Sequence, residues 1–117
     1  MIEVYGIPNC DTVKKSTNWL KENGLEFVFH NFKQEIPTAT MLEAWAKQVP
    51  LEILINKKST TWKALTPEQQ QLAGKKSTAF PLLMAHTSLI KRPVVAWPNG
   101  TLTVGFTPKM FEEKEKG

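Results

Sequence analysis

Two reactive residue types occur once each in this 117-residue chain: cysteine at Cys10 and arginine at Arg92. Cys10 closes a turn over residues 6–10, between an apolar segment at 2–5 and a helical pattern that opens at Asp11-Thr12-Val13. A thiol in that position meets backbone N–H groups that no carbonyl of the helix can claim, here those of Thr12 and Val13. It also meets the positive end of the helix dipole, and both favour thiolate over thiol. Lys14 and Lys15 add positive potential, while Asp11 opposes it. The alternative is a buried, inert cysteine, as many free cysteines are; a loop between strand and helix argues against burial. The motif reads Cys10-Asp11-Thr12-Val13, so valine stands where a dithiol CxxC needs its second cysteine. An internal disulfide cycle is excluded, and any redox turnover must borrow its second thiol from glutathione or a partner protein.

Arg92 precedes Pro93 at the entrance to a second apolar run over residues 94–97. Its planar fork suits an oxyanion or a carboxylate. A surface salt bridge is the ordinary role of an arginine, but this one stands alone among lysines. His30 and His86 invite an acid–base role, yet each has a structural explanation. His30 lies in a strand whose Phe27 and Phe29 share the other face, and His86 ends a helix where a basic residue suits the dipole. One cysteine and two scattered histidines make no metal-ligand set, and no glycine-rich phosphate loop is present.

The elements that must position these groups follow from periodicity. Residues 2–5 read as a first strand, and from Asp11 the period becomes helical, with Val13, Thr17 and Leu20 on one face and Gly24 as the stop. Residues 26–32 read as a second strand parallel to the first, completing a βαβ unit. The middle is helical. A capping box is expected at Thr40-Met41-Leu42-Glu43, with Met41, Leu42, Trp45 and Val49 on one face. Thr66-Pro67-Glu68-Gln69 repeats the logic, and a third helix is expected over 78–86 with Pro81 in its first turn. Strands return at 94–97 and 102–105 around Pro98-Asn99-Gly100, a hairpin signal, and Thr107-Pro108 starts a last helix. The order βαβ, helical insert, ββα predicts an α/β fold: a thioredoxin-like four-stranded mixed sheet in a single domain over 1–117, with a helical insertion at about 38–90. That fold holds a cis peptide before a strand-opening proline beside the thiol, which is the place of Arg92-Pro93.

Composition excludes several classes. The formal charge is +4 with 41% hydrophobic residues, ordinary for a soluble globular chain. The lysines are spread along the chain rather than clustered with exposed aromatics, which argues against direct nucleic-acid binding. No run approaches the ~20 apolar residues of a membrane span. The first ten residues lack the basic and apolar regions of a signal peptide, and a single free thiol suits a reducing, cytoplasmic compartment.

Three segments, YGIPNCDTVKKSTNWL, LINKKSTTWKAL and LIKRPVV, in this order and at these separations, resemble the arsenate reductase (ArsC-like) family, closest to its YffB-type bacterial members, with Spx-type transcription regulators as cousins. The resemblance implies a single active-site cysteine. In the reductases it attacks arsenate, glutathione displaces arsenite, and glutaredoxin resolves the mixed disulfide, while three arginines hold the oxyanion. Carried over by motif, the nucleophile is Cys10 and the arginine before proline is Arg92. A second arginine falls on or beside Lys58, which keeps a cation and loses the fork. The third has no match, its region reading Val104-Gly105-Phe106, and the reductases' histidine four residues before the cysteine is Gly6 here.

These departures argue against arsenate as substrate, since losing one well-placed donor commonly costs several kcal/mol. The implied activity is a glutathione-dependent monothiol reductase, with Cys10 as nucleophile, Arg92 and Lys58 as anion-binding groups, and Thr12 and Pro93 beside the glutathione. No metal is expected; the partners are glutathione and glutaredoxin, and the chain is expected to be a monomer. The competing reading is an Spx-like regulator that docks on the RNA polymerase α-subunit, although Val13 removes the CxxC switch typical of that group.

Overall fold

The computed structural model describes residues 1–116, the side chain of Lys116 excepted. It resolves into two compact units, one of residues 1–35 with 92 onward and one of Ile36–Lys91.

The first unit carries the sheet. β1 (Ile2–Gly6), β2 (Phe27–Asn31), β3 (Val94–Ala96) and β4 (Leu102–Val104) lie in the order β2-β1-β3-β4. β1 runs parallel to β2 with Ile2 opposite Phe27, and antiparallel to β3 with Val4 opposite Val95. β3 and β4 form an antiparallel hairpin with Val95 opposite Thr103. This is the mixed thioredoxin-like sheet expected from the element order. Alternation along β1 sends Ile2 and Val4 to one face. There they meet Val95, Trp97, Leu20 of helix α1 (Asp11–Glu22) and Phe111 of helix α7 (Pro108–Lys116). Phe111 is fully buried and meets Trp19, Trp97 and Phe106 edge-to-face at centroid distances of 5.6, 5.0 and 4.7 Å. The indole N–H of Trp97 donates to Thr103 Oγ1 at 3.0 Å, so both polar groups are satisfied inside the core.

One local expectation needs correction here. The buried face of α1 is Val13, Ser16 and Leu20, with Thr17 only half-buried. Ser16 goes inside because its hydroxyl donates to Val13 O at 2.7 Å, which removes the cost of burying it. The β3–β4 connection is the three-residue loop Pro98-Asn99-Gly100, where the sequence placed the turn. Gly100 alone has positive φ (87°), and Gly100 N–H donates to Trp97 O while Trp97 N–H donates to Thr101 O. Pro98 occupies the position its fixed φ favours. Gly24 (φ 67°) ends α1 as expected, and Thr107 Oγ1 caps α7 by accepting from Met110 N at 3.1 Å.

The second unit comprises α2 (Ala39–Gln48), α3 (Leu51–Leu54), α4 (Thr60–Ala64), α5 (Pro67–Gln71) and α6 (Lys76–Ala85), with 3₁₀ turns at Leu72–Gly74 and Thr87–Leu89. The capping box at Thr66 is present in full, with Gln69 reaching back to Thr66 N. The one expected at Thr40 is not, because Thr38, extended at φ −80° and ψ 162°, makes the cap by accepting from Met41 N at 3.2 Å. α6 begins at Lys76, so Pro81 sits in its interior rather than its first turn. The insert is also not purely helical: Ile55 and Ile90 form an antiparallel bridge, flanked by bonds from Asn56 N to Leu89 O (2.7 Å) and from Lys91 N to Leu54 O (2.8 Å). No helix among the described residues is long and apolar enough to cross a membrane.

Candidate active site

Cys10 is the N-cap residue of α1, extended at φ −98°, ψ 126°, and its carbonyl accepts the first helical bond from Lys14 N at 2.9 Å. No side chain caps this helix. The residue types that normally fill an N-cap position present an oxygen to the first-turn amides; here the position is given to sulfur. Cys10 is partly exposed and Thr12 is exposed in the first turn, so the thiol is accessible rather than a core group.

The Arg92-Pro93 peptide is cis. Pro93 is buried and its carbonyl accepts from Gly105 N at 2.9 Å, which ties the strand entrance to the β4 side. Tyr5 pairs with Val94, so Gly6 and Pro93 are the next steps along adjacent strands. Four residues after Gly6 the chain reaches Cys10. The sheet register therefore brings Cys10, Thr12, Arg92 and Pro93 to one end of the first unit. Arg92 Nη1 is buried without a hydrogen-bond partner among the described residues. A buried donor left unmatched costs about 1–3 kcal/mol, and more when it carries charge. A carboxylate or oxyanion arriving there would recover that cost through charge-assisted bonds.

Gly6 explains two departures at once. A Cβ on Gly6 would lie 2.8 Å from Val13 Cγ2. Val13, the residue in place of a resolving cysteine, thus fills the space into which any side chain at position 6 would project. A histidine at 6 and a valine at 13 exclude each other on this backbone.

Lys58 belongs to the second unit. It is exposed in the turn before α4, where its N–H donates to Asn56 Oδ1 at 3.1 Å, and it lines a groove of about 330 Å³ with Lys57 and Lys91. His86 caps the C-terminus of α6, its N–H donating to Leu82 O at 2.9 Å, a structural position as expected. His30 is more engaged than the sequence indicated. It stacks on Tyr5 at 4.5 Å, and its Nε2 and Nδ1 each lie 3.2 Å from a carboxylate, of Glu3 and Glu35 respectively. Burial, then the negative charges of Glu3 and Glu35, push the Tyr5 phenol above its ordinary value. Period-two spacing of Glu3 and Tyr5 was visible in the sequence; the parallel register that sets His30 beside Tyr5 was not. Among the described residues no group of three His, Cys, Asp or Glu is placed to hold a metal ion.

Comparison with known proteins agrees with this geometry. The chain is 38% identical over 112 residues to an uncharacterized protein of Haemophilus influenzae, covering 96% of each. It superposes on the solved YFFB protein with a TM-score of 0.90 and 31% identity, covering 97% of this chain and 98% of that one. It is 24% identical over 106 residues to the regulatory protein MgsR of Bacillus subtilis, covering 89% of this chain and 82% of MgsR. The ArsC family model matches residues 5–114, a span that takes in Cys10, Gly6, Val13, Arg92 and Pro93 together, and the chain belongs to the ArsC family.

Proposed function

We propose that this protein is a glutathione-dependent monothiol reductase that uses Cys10 as its nucleophile and Arg92 to hold a carboxylate or small oxyanion. The observation that carries the reading is the buried, unmatched Nη1 of Arg92 at the same end of the sheet as an uncapped helix N-terminus bearing the only thiol. On a glutathionylated substrate, the Cys10 thiolate attacks the glutathione sulfur. A Cys10–glutathione disulfide forms, the original disulfide breaks, and the substrate leaves as a thiolate that takes a proton from water. A second glutathione thiolate then attacks the mixed disulfide, releasing oxidised glutathione and regenerating the Cys10 thiolate. Glutaredoxin serves as the alternative donor for this second step. The glutathionyl group carried in on the substrate leaves joined to one added glutathione, so each turnover consumes one reduced glutathione and needs no metal.

First-turn amides at Thr12 and Val13 stabilise negative charge on the sulfur as it attacks and leaves. Pro93 and Thr12 flank the glutathione, and Lys58 enters as an assisting cation on the strength of the resemblance alone. Arsenate is a poor substrate in this reading, because a lysine stands for the second arginine and the third has no counterpart in Val104-Gly105-Phe106. Mass spectrometry after incubation with oxidised glutathione tests the proposal. A single adduct on Cys10, formed more slowly in Arg92→Met, is expected; a protein that takes no glutathione overturns it.

The likeness to the regulatory protein MgsR favours a second reading, a regulator, for which the resemblance to Spx-type regulators suggests the RNA polymerase α-subunit as partner. Retention on the immobilised α C-terminal domain at low salt would support it. Val13 stands against it, since a CxxC switch cannot form.

A further inference from the structure

We propose that the outer edge of β2, with the groove beside it, is a docking site for an extended, acidic polypeptide segment, so that the natural substrate of Cys10 is carried on a protein rather than free in solution. The inference rests on the nucleophile reading above and adds the class of partner.

Among the described residues β2 has a sheet neighbour only on its β1 side. Phe32 N–H donates to Gly6 O at 2.8 Å; in a parallel pair successive residues alternate sides, so the backbone groups of Phe27 and Phe29 point away from the sheet. Exposed strand edges are usually blunted by lysine, proline, a bulge or shortness. The opposite edge, β4, has only three residues, whereas β2 has five, reads Phe-Val-Phe-His-Asn, and carries none of these devices. Val28 is 41% exposed on one face. On the other face Phe27 and Phe29 join Pro8 and Val13 in a groove of about 240 Å³ that α1 does not fill.

Charge selects the occupant. Lys14 and Lys21, two turns apart on the same side of α1, are the charged groups that line this groove. Glu22 beside Lys21 and Glu26 beside Phe27 are exposed and do not line the groove, and the carboxylates of Glu3 and Glu35 engage His30 on the opposite face of the sheet. A second copy of this chain would bring two more lysines to the same place and a further net +4, so self-pairing is opposed where an acidic strand is attracted. Pro8 and Val13 lie two and three residues from Cys10 in sequence, so the groove beside β2 borders on the segment that carries the thiol. Strand addition supplies affinity through main-chain bonds and selectivity through alternate side chains.

The test uses a peptide of about nine residues alternating glutamate and valine, long enough to cover β2, with its lysine–valine counterpart and a backbone N-methylated form as controls. Binding is read from amide chemical shifts in the full chain carrying Cys10→Ser, so failure of the thiol chemistry cannot mask docking, and failed docking leaves glutathionylation of the wild type to be judged separately. Saturable shifts centred on Phe27 to Asn31 are expected with the acidic peptide, weakening with added salt and by about tenfold in the double variant K14E/K21E. Equal binding of the lysine or N-methylated peptide, shifts centred elsewhere, or a salt-independent dimer protected at β2 would each overturn the proposal.

Discussion

Replacing Gly6 with alanine should destabilise the protein through one contact. Ordinary carbon–carbon contact is about 3.5–4.0 Å, and the new Cβ would lie 2.8 Å from Val13 Cγ2, so the overlap approaches 1 Å. Val13 has little room to yield: it is 2% exposed, and a β-branched side chain in a helix holds essentially one χ1 rotamer. Overpacking of this kind costs about 1–3 kcal/mol, offset by roughly 0.5–1 kcal/mol from the lower backbone entropy of alanine in a strand. The expected net loss is about 1–2 kcal/mol. Val13→Ala alone removes two buried methyl groups, about 2 kcal/mol with its cavity. In the double variant the clash is gone, so the Gly6→Ala step becomes neutral or mildly favourable, a coupling of about 1–2 kcal/mol. Urea denaturation of the four proteins resolves this. Additivity within about 0.5 kcal/mol would refute the account of why position 6 is glycine.

Cys10→Ser should raise stability by about 0.5–1 kcal/mol, because a hydroxyl caps α1 where sulfur does not, while glutathionylation disappears; thermal and chemical melts check the first part. Arg92→Met should leave the free protein as stable or more so, since it removes a buried unmatched donor, and sulfate should raise the melting temperature of the wild type more than that of the variant; marked destabilisation would mean that Arg92 is a structural group. Tyr5 is the only tyrosine, and its phenol is raised above 10.0 by burial and then by Glu3 and Glu35. Between 10.0 and the raised value the unfolded chain binds fewer protons than the folded one, so this group's contribution to stability is lost as pH rises through that window. Phenolate absorbance should therefore appear later in the folded protein than in urea, with Glu3→Gln narrowing the gap.

Much of this site was legible because its parts are local. The strand, turn and helix around Cys10 follow from period changes within twenty residues, and Arg92-Pro93 stands out because arginine occurs once. Thr66 was readable as a cap since proline at the first helical position and Gln69 agree with it. Thr38 was missed because Thr40 offers an equally good pattern, and only the extended backbone after Pro37 decides between them. The exclusion between Gly6 and Val13, and the ring of Glu3, Tyr5, His30 and Glu35, depend on strand register and helix placement. Those are tertiary quantities that no spacing rule encodes.

The central claim is that one thiol attacks while the partly buried guanidinium of Arg92 holds the carboxylate of the same molecule. It is tested most directly by comparing the rate at which Cys10 is modified by oxidised glutathione with that by an uncharged disulfide, in the wild type and in Arg92→Met. The account predicts that the substitution slows glutathione selectively, by about tenfold or more for a lost charge-assisted contact, and leaves the uncharged reagent untouched. Equal slowing of both, or of neither, would contradict it.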